Sequence, residues 1–491
     1  MNGSRPHNCS GGFFNMLNKL QTISYFTVAD WTVFSVILVI TAAAAVYGSL
    51  RLKRTKENSE ANSVLDYLLM GRQLTLPLFV ATMVATWYGG IFGVNEITFN
   101  YGIYNFVTQG FFWYAAYLVF AFFVADKIVK YKSVTLPDLT RQLFGENAAT
   151  VSAAFTLLSV LPVAYVLSVG LFLHMVFGIS VLKGMILGTF FSAVFAAWGG
   201  LRSVVFSDVV QFVVMCAAVF IVAVFSVHTF GGFTFLKAHL PPSHLTLTGG
   251  NSWANTLVWG FIAFSALINP AFYQRCFAAK NIQTVKRGVL ISTLIWFLFD
   301  ICTTTGSLYA RAVLPDAQPG QAYFFYAIQL LPSGLRGFFV AGVLAIILST
   351  LNSFLFLSSN TLSFDLLKNR FSNVILSSRF TVFIAGALSI GLVQLFHESF
   401  KEIWFVLGSY LSACLLVPVL IGQMFPHAIS DRLFVTSVFT SATTMTLWRV
   451  YCSEETLNII DPFYIGITTS IIILVLFRKG VSKNVARIID R

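Results

Sequence analysis

The sequence predicts an all-α polytopic membrane protein with about 13 transmembrane helices. Three observations predict it. Of 491 residues, 57% are apolar and only 10% are charged, whereas soluble chains carry roughly 25% charged residues. Apolar stretches of about 18 residues or more recur from end to end, each long enough to cross a hydrocarbon core roughly 30 Å thick. The alternating pattern of an outer-membrane barrel strand is absent.

In chain order the spans fall near 31–50, 76–99, 106–125, 149–177, 181–197, 204–226, 253–273, 288–309, 337–362, 380–396, 403–422, 433–451 and 461–477. The longest polar connections are 51–75, 229–252 and 310–336, and none is large enough for a soluble domain. The last contains "AQPGQAYFFYAIQLLPSG", which reads as a short surface helix. A single domain over 1–491 is expected. Residues 1–28 lack the charged-then-apolar pattern of a removable signal peptide. Cys9, Cys216, Cys276, Cys302, Cys414 and Cys452 are scattered, with no metal-site spacing and no disulfide framework.

The formal net charge is +12, from 31 Lys and Arg against 19 Asp and Glu. In a soluble protein that excess would raise nucleic acid as a partner. Here it marks cytoplasmic loops, so no nucleic-acid partner is expected. With the N-terminus outside, 23 of the 31 basic residues fall in inside segments. These hold Arg51, Lys53, Arg54, Lys56 and Arg72; Lys127, Lys130, Lys132 and Arg141; Arg202; Arg275, Lys280, Lys286 and Arg287; Lys368, Arg370 and Arg379; Arg432; and Arg478, Lys479, Lys483, Arg487 and Arg491. The expectation is a multi-pass inner-membrane protein with its N-terminus outside and its C-terminus cytoplasmic. The stretch "WGGLRSVVFSDVVQFVVM" (198–215) is then a tight inside turn made by Gly199 and Gly200, with Arg202 as its inside mark.

Two spans interrupt themselves. "LFVATMVATWYGGIFGVNEITF" places Gly89, Gly90 and Gly93 at mid-membrane, and "LVWGFIAFSALINPAFYQRC" places Asn269-Pro270 in its second half. Glycine weakens a helix and proline removes a hydrogen bond. Such breaks are tolerated at membrane depth where the freed backbone lines a cavity or is buried in protein. Interrupted spans five apart point to a transport site between inverted repeats. Spans 2–6 (76–226) and 7–11 (253–422) form the two five-helix repeats. That leaves 31–50 as an extra N-terminal span and 433–477 as two extra C-terminal spans. The plain alternative is that Gly and Pro are common in membrane helices.

Several motifs, in order, resemble the sodium:solute symporter family. "GRQLTLPLFVATMVATWYGG" (71–90) resembles its entry to the first repeat, and "SVTLPDLTRQLFG" (133–145) its loop after span 3. "GGLRSVVFSDVVQ" (199–211) resembles its glycine-glycine signature, and "QRCFAAKNIQTVKRG" (274–288) its arginine-plus-AAK turn. "AIILSTLNSFLFLSSNTLSFDLL" (345–367) resembles its Ser-Ser/Thr helix. The similarity covers roughly 30–425. It implies the leucine-transporter-type fold of two inverted repeats with discontinuous first helices, and secondary active transport coupled to sodium.

By the same resemblance, sodium would be held by the carbonyls of Ala85, Tyr88 and Ile346 and the hydroxyls of Ser349 and Thr350. The chemistry is sensible, since a hard cation takes several oxygen ligands and a helix break supplies carbonyls outside the ladder. Without a carboxylate, a monovalent ion binds weakly enough to leave again. The plain alternative is that both hydroxyls bond the carbonyls of their own helix. The proline-transporting branch carries an Asp near the position that Trp87 occupies here.

Asp208 is either an ion-release or second-ion carboxylate, as the signature implies, or an acidic helix N-cap. Glu96 and Asp300 lie deeper, where carboxylates default to functional hypotheses. Glu96 would face substrate and Asp300 would carry a second ion or a proton; either could instead form a buried structural pair. Arg275 is an inner-gate residue by resemblance, or an ordinary positive-inside arginine. His174 reads as a packed, hydrogen-bonded histidine. Substrate contacts are expected from Thr86, Trp87 and Glu96 of span 2, Gln109 of span 3, and Ser265 and Asn269 of span 7. Sugar-carrying members have an Asn and a gating Tyr about two turns before the arginine, where Ile262 and Ser265 stand here. That disfavours sugars and leaves an amino acid, a vitamin or another small organic acid.

The expected function is sodium-coupled import of a small polar organic solute by alternating access, with no catalytic constellation and no cofactor besides the coupling ion. Proton coupling in the same fold is the nearest alternative. A membrane sensor would need an output domain that the residues after about 478 do not supply, and an embedded enzyme would need convergent polar residues near one interface.

Overall fold

The computed structural model describes residues 25–54, 60–367, 373–396, 400–452, 457 and 460–477. Lys56, Lys368, Arg370, Cys9 and the basic residues from Arg478 onward lie outside the described residues. Among the described residues the protein is helical throughout, and nine helical stretches are long and apolar enough to cross a membrane. Among the described residues a single β-bridge joins Leu74 to Ala279. Its hydrogen bonds, Leu74 N to Ala278 O (2.9 Å) and Lys280 N to Leu74 O (3.0 Å), tie the entry of the first interrupted helix to the exit of the second.

Burial sorts the helices into an inner and an outer set. In the apolar window of Leu335–Leu366, 94% of residues are buried; in Val28–Arg51 the share is 17%. The first is therefore the axis of the molecule and the second faces lipid. An axial helix buried on every side must be apolar all round. The small residues along it, from Gly342 through Ser349, Thr350 and Ser353 to Ser358, let neighbouring backbones come close.

Both expected breaks are present. Leu76–Ala85 stops and Ile91–Tyr101 resumes. Close approach explains the glycines between them. A Cβ on Gly89 would lie 2.4 Å from the Thr350 Cβ, and one on Gly90 would lie 2.0 Å from the Trp404 ring. Trp253–Ala263 runs through a 3-10 turn, Phe264–Ile268, and restarts at Pro270–Ala278. Asn269 caps the restart, its Oδ1 accepting from Phe272 N at 3.1 Å.

Four sequence expectations are corrected. The span read as 149–177 is two helices, Glu146–Val160 and Val163–Phe177. Pro162 pushes Leu161 out of the helical region, to φ −58, ψ 125. The freed Val160 carbonyl accepts from Ser358 Oγ at 2.6 Å. The 51–75 connection contains a helix, Glu60–Leu69. The surface helix expected in 310–336 is Pro319–Leu330, and it buries Tyr323, Phe324 and Tyr326 instead of lying on the surface.

The fourth concerns the glycine pair. Its turn has no loop: two helices meet at a single non-helical residue, Gly200 (φ 57, ψ −157), within Val181–Phe230. Arg202 is a buried ion-pair partner, not a solvated inside mark. Its Nε donates to Asp66 Oδ1 at 3.1 Å and its Nη2 to the same carboxylate. A Cβ on Gly200 would lie 2.6 Å from the Tyr67 carbonyl oxygen, in backbone space that L side chains rarely enter. Gly200→Ala is expected to destabilise the protein by about 1–3 kcal/mol, read as a lower melting temperature in detergent. Gly391→Ala, in a helix with nothing within 4 Å of the new methyl, is expected to be neutral or mildly stabilising.

Candidate functional site

Four of the five expected sodium ligands converge where the first break meets the axial helix. Ser349 Oγ lies 2.7 Å from Ala85 O and 3.0 Å from Ile346 O. Thr350 Oγ1 lies 3.3 Å from each of the same two carbonyls. Both hydroxyls are fully buried. Each hydroxyl has one hydrogen and two lone pairs, so neither can donate to both carbonyls at once. Oxygens placed octahedrally about 2.3–2.6 Å from a hard cation lie about 3.3–3.7 Å from one another. The two Thr350 contacts already have that spacing, and the two Ser349 contacts are shorter than it. The own-helix bond to Ile346 is also present, so the plain expectation and the ligand expectation share one geometry. Tyr88 differs: its ring stacks on Phe299 at 4.1 Å between centroids, and its carbonyl takes no part in the quartet's hydrogen bonds.

Beside the quartet lies a cavity of about 170 Å³. Trp87, Tyr88, Gln109, Ser265, Asn269 and Asp300 all line it. Gln109 stands in a π-helical turn, Phe106–Phe111; such turns are rare and frequent at functional sites. The Pro162 break missed by sequence reasoning adds Ser159, Leu161 and Tyr165 to the wall. Asp300 is buried and accepts from the Tyr114 hydroxyl. Trp87 packs edge-on against Trp113 (4.8 Å) and Tyr117 (5.6 Å).

Four expected residues sit elsewhere. Glu96 does not line the cavity; its carboxylate lies 3.8 Å from the position of a Cβ on Gly320. Thr86 lines a smaller space beside Arg275. Its Oγ1 lies 2.6 Å from Thr82 O and 3.0 Å from Arg275 Nη2. Arg275 is 0% exposed, which excludes an ordinary loop arginine. It donates to Thr86, to Ser353 Oγ (2.7 Å) and to Gln274 Oε1 (3.1 Å). Asp208 is no N-cap: it lies two turns beyond Gly200, fully buried, with Thr82 Oγ1 donating to its Oδ2 at 2.5 Å. Asp208 and Arg275 lie within electrostatic reach of each other. Thr82, Ser353 and Tyr114 were missed from sequence. The first two repeat the hydroxyl spacing of Thr86 and Ser349, one turn away on the same helix faces. His174 is hydrogen-bonded as expected, its Nδ1 2.8 Å from Ile179 O, but it is exposed on its helix and not packed as the sequence suggested.

Broken helices that bring buried oxygens beside a central cavity are the arrangement found in secondary transporters. The family model described as the sodium:solute symporter family matches residues 67–431. The chain belongs to that family, whose members are transporters rather than enzymes. It is similar to the sodium/mannose cotransporter of Bos taurus, 24% identical over 384 residues, covering 68% of this chain and 63% of the relative. It is also similar to the sodium/pantothenate symporter of Escherichia coli K12, 26% identical over 252 residues, covering 49% and 52%. The matches span about half to two thirds of the length of these curated relatives. In fold it is similar to a sodium-coupled sialic acid symporter in a substrate-bound outward-open state. There the TM-score is 0.73 at 15% identity, over 92% of this chain and 98% of that one.

Proposed function

We propose that this protein imports a small organic solute together with sodium, by alternating access. The observation that carries this reading is the quartet of Ala85 O, Ile346 O, Ser349 Oγ and Thr350 Oγ1 at the first helix break. Ligands from both a broken helix and the axial helix let the ion hold the two together. Sodium then favours the conformation in which they touch. Sodium and solute must each raise the other's affinity by the same factor. Thirteen spans in a leucine-transporter-type arrangement accord with this: repeats over 76–226 and 253–422, one extra span before and two after. Arg275, holding Thr86 to Ser353 beneath the cavity, is the inner closure in this scheme, and Asp208 beside it is a second carboxylate on the ion's way out.

The wild-type test needs no known solute. Sodium chloride is expected to raise the melting temperature of the purified protein relative to potassium chloride of equal ionic strength. If sodium is without effect while an imposed pH gradient drives uptake in proteoliposomes, the coupling ion is a proton and this reading falls.

The orientation is an N-terminus outside and a cytoplasmic C-terminus in the cell membrane. Thr246→Cys and Lys280→Cys test it in a cysteine-free background, both positions being exposed. An impermeant thiol reagent on intact cells is expected to label position 246 and spare position 280. The reverse pattern overturns the topology.

A further inference from the structure

We infer that the solute is a small organic ammonium that also carries a hydrogen-bond acceptor, bound between Asp300 and the indole rings of the cavity. This rests on the symport reading, because it takes the cavity beside the sodium quartet as the solute site.

The charge balance of the cavity comes first. Asp300 is the one ionisable acid in its wall, and among the described residues no lysine, arginine or histidine lines it. None of the ion pairs among the described residues includes Asp300. Arg275 is committed to Thr86, Ser353 and Gln274 in the neighbouring space. A carboxylate accepts hydrogen bonds and a phenol supplies one, so the Tyr114 hydroxyl stabilises the anion. A Cβ on Gly110 would come 2.9 Å from the Tyr114 hydroxyl and 3.3 Å from Asp300 Oδ2, so this glycine leaves room for the pair. A carboxyl buried at membrane depth is expensive to ionise without a cationic partner, and a cationic solute would supply the partner that stabilises its charged form.

The rest of the wall decides which cation. A sodium ion wants five or six oxygens. The wall that Asp300 shares is instead rich in aromatic side chains: Trp87, Trp113, Trp259 and Trp404, with Tyr88 and Tyr165. Aromatic faces attract organic ammonium and guanidinium groups, which shed water more readily than a hard metal ion does. Two donors point to a second group on the solute. Gln109 Nε2 and Trp113 Nε1 are buried without a hydrogen-bond partner, and both residues line the same cavity. Buried donors of this kind are normally satisfied, and a hydroxyl or carbonyl oxygen on the ligand would satisfy them. Size limits the solute further. An apolar cavity of ~150 Å³ binds benzene, so about 170 Å³ takes a molecule of that order and not a disaccharide.

The experiment compares solutes of one shape and different charge on the purified protein in saturating sodium, read by melting temperature and indole fluorescence. The first set is (2-hydroxyethyl)trimethylammonium, its neutral carbon isostere 3,3-dimethylbutan-1-ol, and 3,3-dimethylbutanoate. The second is 4-aminobutan-1-ol against pentan-1-ol. The ammonium member of at least one set is expected to bind about tenfold tighter than its neutral counterpart or better. Asp300→Asn is expected to erase that preference. Gln109→Leu, which removes a donor and no ring, is expected to weaken the hydroxyl-bearing ammonium more than propyltrimethylammonium, which lacks the acceptor. Equal binding of neutral and cationic members, preference for the carboxylate, no response to any ammonium, or an Asp300→Asn protein that keeps the preference each overturns the proposal. Sodium stabilisation without solute is recorded in the same series. If it persists while the ammonium preference is absent, the solute class is wrong and the sodium reading stands; if it too is absent, the coupling reading has failed.

Discussion

Ser349→Ala and Thr350→Val are each expected to raise the sodium concentration needed for half-maximal uptake about 5- to 150-fold. Each deletes one of four oxygens that meet within 2.7–3.3 Å. Loss of an unreplaced polar partner costs about 1–3 kcal/mol, and that range converts to the stated fold-change. Solute affinity at saturating sodium should move less, because neither hydroxyl lines the cavity. Thr350→Ser separates ion binding from packing. It keeps the oxygen and removes a methyl next to Gly89, whose hypothetical Cβ would sit 2.4 Å from Thr350 Cβ. A modest stability loss of about 0.8 kcal/mol is expected from that methyl, with the sodium requirement unchanged. The two hydroxyls also back-bond the Ile346 carbonyl. If that local bond were their whole role, both deletions would leave sodium dependence at the wild-type value, which is the result that removes the site from this position.

How this site was legible bears on what sequence can carry. The break at 86–90 was readable because Gly89 and Gly90 stand side by side at mid-membrane, where adjacent glycines weaken a helix. Asn269-Pro270 was readable because proline cannot continue the ladder. The same rule applied at Pro162, yet the long apolar run around it reads as one span, and the break appears only when Ser358 is seen taking the Val160 carbonyl. Long-range partners explain the other misses. Nothing in the sequence near Arg202 announces Asp66, 136 positions away, as its counter-ion. Nor does the Asp208 neighbourhood announce Thr82, so a carboxylate two turns inside a helix reads as a cap. Glu96 shows the converse error. Membrane depth alone marks an acid as functional, but its helix face turns it toward Gly320 and away from the cavity that Asp300 lines.

Arg275→Met is expected to destabilise the protein by about 1–3 kcal/mol, the usual cost of leaving buried polar partners unsatisfied, and by more where it also leaves the charge of Asp208 uncompensated. The pair is joined through side chains: Asp208 accepts from Thr82, Thr86 bonds back to the Thr82 carbonyl, and Arg275 donates to Thr86. Met keeps the length and apolar stem but leaves the Asp208 carboxylate buried with one hydroxyl for company. Its Oδ1 already lacks a partner. Asp208→Asn alone strands the guanidinium in the same way. The double variant removes both charges and is expected to recover about 1–3 kcal/mol relative to the sum of the singles. Arg275→Lys is expected to fall near Arg275→Met, because a single ammonium does not reproduce a planar fork that spans Thr86, Ser353 and Gln274. The measurement is a double-variant cycle on melting in detergent, and additivity within about 0.5 kcal/mol would show that the charges do not act as a pair. Transport separates this arginine's place from that of the ion ligands. Arg275 holds Ser353 one turn beyond Ser349, so its loss loosens the axial helix against the first break without removing a sodium ligand. Uptake rate should fall further than sodium affinity, the reverse of the order expected for Ser349→Ala.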